Sequence, residues 1–188
     1  MTTAQLYERL NDVDSSREKR LEYAYLVINN PGLISKLMEI LFMVDDKISC
    51  KAAWVLEFVC NEDLEVLLPH LDTFTENIHK VHLDSAVRPI AKICELLAKA
   101  IYSKENNSVK SALQFKHKEK IIETCFDIMI NDEKIAPKAY AMNTLFLLGK
   151  DIDWIHPELL QILERDFPNL SAGFKARARH IIKKIKVS

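Results

Sequence analysis

"CKAAWVLEFV", residues 50–59, is apolar on nearly every side yet carries a cation, Lys51, at its second place. Three further stretches share this shape: "VRPIAKICEL" at 87–96, "PKAYAMNTLF" at 137–146 and "FKARARHIIK" at 174–183. The second place holds Lys51, Arg88, Lys138 and Lys175 in turn, at successive intervals of 37, 50 and 37 residues. The long interval exceeds the others by 13, the length of "SKENNSVKSALQF", residues 103–115, the most polar stretch in the middle of the chain. Repeats with one insertion between the second and third account for both numbers.

Around these stretches helical periodicity recurs and strand alternation is almost absent. Helices are expected at about 3–11, 15–29, 32–43, 47–61, 63–80, 85–102, 117–130, 134–148, 156–166 and 171–185. Ser15 and Glu18 fit a capping box ahead of Leu21, Ala24, Tyr25 and Ile28, and Asn29, Asn30 and Pro31 end that helix. Pro69 is expected to break or kink the 63–80 segment, because it removes a donor and clashes one turn back. In "KIAPKAYAMNTLFLLGK", residues 134–150, apolar positions cover more than one face. Such a helix is buried from several sides, as the inner helix of a repeat stack would be. Residues 103–115 read as a mobile surface loop, at least over 103–109.

The pattern resembles the HEAT and armadillo class of helical repeats over about residues 31–186. That resemblance implies an all-α fold, a right-handed α-α superhelix of about four helix pairs, here with residues 1–30 as an N-terminal helical cap. It also implies that an acid in the turn between paired helices meets a cation early in the second helix. Asp45 precedes Lys51 by six residues, Asp132 precedes Lys138 by six, and Asp84 precedes Arg88 by four. These three turn pairs are the expected contacts. Asn169 stands where the last repeat would need its acid.

Composition bounds the chemistry. The chain has 188 residues, enough for one domain of ordinary size. Its three glycines, Gly32, Gly149 and Gly173, are isolated, so no phosphate-cradling loop exists and no nucleotide cofactor is expected. No run of 18 apolar residues predicts a membrane span. The N-terminus lacks a basic region followed by an apolar block, so the expected location is cytoplasmic. Cys50, Cys60, Cys94 and Cys125 lie in apolar helical runs without a C-x-x-C, and read as reduced core cysteines. His79, His82 and Asp84 in "HKVHLD" read as capping and surface polarity; no metal site and no cofactor is expected.

The net charge of −1 hides an asymmetry. Second helices, taken as 47–61, 85–102, 133–150 and 171–186, hold fourteen Lys/Arg against Glu57, Glu95 and Glu133. First helices, taken as 31–43, 62–80, 116–130 and 153–166, hold six against thirteen Asp/Glu. A basic inner layer attracts acidic partners, phosphate backbones included. The expected partner-binding surface is Lys51, Arg88, Lys92, Lys99, Lys138, Lys175, Arg179 and Lys183. Arg88, Lys92 and Lys99 form one stripe; Lys175, Arg179, Lys183 and Lys186 form another. Trp54 and Phe58 beside Lys51 read as packing between repeats.

The leading functional expectation is a non-enzymatic scaffold for an acidic protein. Nucleic-acid backbone binding is the alternative, since HEAT-like DNA alkylpurine glycosylases hold duplex DNA on such a face. The whole chain also resembles a short bacterial family sometimes labelled adenylosuccinate lyase. True lyases of that name carry a flexible S-S-x-M-P-x-K-x-N-P signature. None of the methionines here, Met1, Met38, Met43, Met129 and Met142, precedes a proline, so that label carries no catalytic residue to this chain.

Overall fold

The computed structural model describes residues 1–169 and 171–187 and contains no strand among them. The helices are α1 (Thr3–Leu10), α2 (Arg17–Ile28), α3 (Ile34–Leu41), α4 (Lys47–Glu62), α5 (Leu71–Asn77), α6 (Asp84–Ile101), α7 (Val109–Ala112), α8 (Phe115–Ile130), α9 (Ile135–Leu148), α10 (Ile155–Asp166) and α11 (Ala172–Val187). Single turns of 3₁₀-helix occupy Pro31–Leu33, Ile78–Lys80 and Phe167–Asn169.

Local chemistry sets several of these starts. Thr2 and Gln5 form a reciprocal capping box on α1, and the Asp46 carboxylate accepts the Ile48 N–H at 2.9 Å to open α4. The cap of α2 is Ser16, one residue beyond the expected Ser15: its hydroxyl accepts the Lys19 N–H at 3.2 Å, and Ser16 N–H donates to Asp14. Pro69 breaks its segment as expected. Leu64–His70 is 3₁₀-helix, and α-helix begins only at Leu71.

The helices form two layers. The second helices α2, α4, α6, α9 and α11 pack on one another in chain order, while α1 packs on α3 and α5 on α8 in the other layer. Phe126 of α8 stacks on Trp154, at the start of α10, with ring centroids 5.5 Å apart. The first pair, within the expected N-terminal cap of residues 1–30, packs on the repeat that follows. It continues the stack, with α1 on α3 and α2 on α4, and Tyr23 of α2 donates to the Arg9 carbonyl at 2.7 Å. The core between the layers is continuous from Leu6 to Ile181. Helix α9 is buried on several sides, through Ala139, Ala141, Met142, Leu145, Phe146 and Leu148. In such a stack each repeat draws its stability from its immediate neighbours.

The 103–115 insertion differs from a bare surface loop. It contains α7, and Val109 and Leu113 are buried in the core at 2% and 4% exposure. Asn107 donates to the Ala100 carbonyl at 2.8 Å, Lys110 bonds the carbonyls of Ser103 and Glu105, and Ser108 reaches Glu65 at 2.7 Å. Only 104–106 is exposed throughout without a buried anchor. The polar composition masked two apolar residues four apart, which is one helical turn.

Candidate functional site

The inner layer brings Arg88, Lys92 and Lys99 together, but with two buried carboxylates between them. Arg88 of α6 donates to both oxygens of Glu57 on α4, at 3.1 and 2.6 Å. Lys92 and Lys99 both reach Glu95 Oε2, at 2.8 and 3.0 Å, and Asn143 of α9 donates to Oε1 at 2.9 Å. Glu57 and Glu95 are 5% and 6% exposed, so each ties cations down from inside the wall. Burial alone would push the Glu95 carboxyl up; the hydrogen bonds from Lys92 and Lys99 outweigh it and hold it below the usual carboxylate range. Lys92 also lies 4.8 Å over the Tyr140 ring.

The expected turn pairs are not formed. Lys51 donates to the Asn11 carbonyl at 2.7 Å, capping the end of α1, while Asp45 faces His82 at 3.3 Å. Asp84 pairs with Lys134 at 2.8 Å, leaving Arg88 to Glu57. Lys138 makes no ion pair with Asp132 or with any other described residue. The cation half of the pattern survives as a cap on the turn: Lys175 donates to the Pro168 carbonyl at 3.0 Å, as Lys51 does to Asn11. The side chain of Asn169 lies outside the described residues.

On α11 the expected stripe divides. Lys175 and Arg179 lie over the Phe167 ring and Lys186 pairs with Glu164 at 2.7 Å, so these three turn toward α10 and the turn after it. Arg177 and His180 instead line an open cleft of about 390 Å³ between α9 and α11, with Ala139, Met142, Asn143, Ala176, Ile181 and Glu95. A neighbouring hollow of about 520 Å³, sharing His180, is lined by Phe146, Lys150, Lys183, Lys184 and Val187. Arg177 and Lys183 are exposed and have no carboxylate partner among the described residues.

At the other end of the layer Arg20 of α2 stacks on Trp54, 4.4 Å from the ring centroid, and Trp54 Nε1 donates to the Ser85 carbonyl at 2.8 Å. Trp54 thus ties α2, α4 and α6 together. Burial, and then the nearby Arg88, lower the Arg20 guanidinium below its ordinary value. Sequence reasoning gave no place to Arg20, Arg177 or His180. Glu57 and Glu95, two of the three acids in a layer of fourteen cations, were the available signal for the internal pairing.

Two layers of paired helices, with the second helix of each pair stacked on the next, define a helical-repeat solenoid. The chain belongs to the HEAT repeat domain family, whose model matches residues 6–185. No curated protein and no solved structure matches it. Among the described residues no helix is long and apolar enough to cross a membrane.

Proposed function

We propose that the protein is a non-enzymatic scaffold that binds an acidic protein through the α9–α11 part of its inner layer. One observation carries this reading: Arg177 and Lys183 stand exposed beside two hollows with no carboxylate among the described residues to neutralise them. By contrast Arg88, Lys92 and Lys99 are engaged by Glu57 and Glu95, so they shape the wall and add less to its free charge. Membership of the HEAT family supports a scaffold role at the level of class. A positive strip between helices raises the local concentration of acidic partners and speeds their encounter.

The test is capture of partners from lysate by wild type and by Arg177→Glu/Lys183→Glu, with and without nuclease. Both positions are exposed, so the variant keeps the wild-type fold by circular dichroism. The expected result is a protein retained by wild type in low salt, lost by the variant and indifferent to nuclease. Recovery that vanishes with nuclease would replace the acidic protein by nucleic acid. Equal recovery by the variant would remove this surface from the function.

A further inference from the structure

The α9–α11 cleft combines two features that differ from an ordinary solvated basic face. Its floor is apolar, made by Ala139 and Met142 of α9 and Ile181 of α11, all buried residues that form the cleft's base. Its α11 rim carries Arg177 and His180, both exposed. The opposite wall contains Glu95, but its two oxygens are already taken by Lys92, Lys99 and Asn143. The wall therefore presents a neutralised carboxylate and the rim presents uncompensated positive charge. A volume of about 390 Å³ has room for one large side chain and the backbone on either side of it.

We infer that this cleft is the anchoring subsite for an acidic peptide segment of the partner, taking one large apolar side chain onto Met142 and Ile181 while flanking carboxylates meet Arg177 and Lys183. The inference rests on the scaffold reading above and specifies its ligand. Charge complementarity selects the acidic flanks, because Arg177 and Lys183 have no carboxylate partner among the described residues. The apolar floor selects the anchor, because a purely acidic ligand would leave that surface unmatched. Anchors seated in desolvated pockets dominate the energetics of such contacts, and rim charges mainly set encounter and orientation. Ala176 has its side chain at the cleft and is exposed, which gives a position where the cleft can be filled without disturbing the core.

The experiment uses the full chain with methyl-¹³C methionine and two synthetic probes. Both are acidic peptides of about twelve residues, alike except for a central Phe in one and Ala in the other. The expected result is a selective shift of the Met142 methyl resonance with the Phe peptide, and binding about tenfold tighter than the Ala peptide. Ala176→Trp is expected to abolish that difference while keeping the circular dichroism of wild type. Arg177→Glu/Lys183→Glu is expected to weaken both peptides. If the two peptides bind alike, lose binding to the charge reversal and ignore Ala176→Trp, the basic surface stands and the cleft inference falls. If neither peptide binds while wild type still retains an acidic protein from lysate, the cleft is likewise overturned. If the lysate partner is lost as well, the scaffold reading falls with it.

Discussion

Arg88 on α6 holds Glu57 on α4 by two hydrogen bonds, although Asp84 lies only four residues before it in the chain. The choice follows from exposure. Glu57 is buried and has no water to replace a lost partner, whereas Asp84 is largely exposed and pairs with Lys134. The contact joins two successive second helices and so fixes the stacking of one repeat on the next. Arg88→Met is expected to lower stability by about 3 kcal/mol, because it strands a buried carboxylate. Glu57→Gln/Arg88→Met should recover part of that loss. A double-mutant cycle by urea denaturation reads the coupling; a value near zero would show that the pair is an exposed contact.

Gly149 and His156 form a second close relationship, at the end of α9. A Cβ on Gly149 would lie 2.2 Å from His156 Cδ2. His156 Nε2 donates to the Phe146 carbonyl at 2.9 Å, and its ring stacks on Phe146 with centroids 5.6 Å apart. Gly149 has ordinary right-handed helical angles, so alanine meets no backbone penalty there. Gly149→Ala is therefore expected to lower stability by about 2 kcal/mol only because it expels the imidazole. In a His156→Ala background the same substitution should be neutral or slightly stabilising. Equal effects in the two backgrounds would locate the strain elsewhere.

The insertion gives a graded prediction. Val109→Ala removes buried methyl groups and is expected to lower stability by about 2 kcal/mol. Lys104→Ala and Glu105→Ala, in the exposed 104–106 stretch, should each change it by less than about 0.5 kcal/mol. Urea midpoints of the three variants check the contrast. A small effect at Val109 would restore the whole of 103–115 as a loose loop.

The helices and their layers can be read from the sequence because their causes are local: apolar spacing, caps and Pro69 all act within a few residues. The ladder of Lys51, Arg88, Lys138 and Lys175 is likewise visible, because repeats place equivalent residues at fixed intervals. The partners of those cations are not local. Lys51 finds a carbonyl 40 residues away and Arg88 a carboxylate 31 residues away, and both choices depend on how closely repeats stack. The α11 stripe fails for a related reason. Successive residues turn by about 100° around a helix, so moving from Lys175 and Arg179 to Arg177 and His180 means knowing which side faces α9. The cap for Lys175 after α10, and the cleft beyond α9, supply that phase only once the helices are packed.

Acid titration gives the final prediction, through carboxylates held in opposite senses. Asp72 is depressed by hydrogen bonds from Lys116 and His117, and Glu95 is depressed by Lys92 and Lys99 against the opposing effect of burial. Asp46 is depressed by the Ile48 N–H and the Tyr7 hydroxyl. In the unfolded chain these groups titrate near pH 4, at about 3.9 for Asp and 4.3 for Glu. The folded state binds their protons less tightly, so their contribution is fully present above the unfolded values and is lost as pH falls through the folded ones. Urea midpoints should be level from about pH 7 to 5 on this account and fall steeply below about pH 4. Glu133 acts in the reverse direction, because burial, and then Asp84, raise its carboxyl. Its ionisation opposes folding at neutral pH, so Glu133→Gln should stabilise there and lose that advantage in acid. Asp72→Asn and Glu95→Gln should lower neutral stability and flatten the acid slope, since neither retains a carboxylate to protonate. The Asp72 effect reports first on the Lys116 ammonium of α8 and then on the buried His117, which holds its 2.6 Å bond to Asp72 while Nδ1 accepts the Gln114 N–H. An Asp72→Asn variant with an unchanged slope would mean that this link between α5 and α8 carries no differential proton binding.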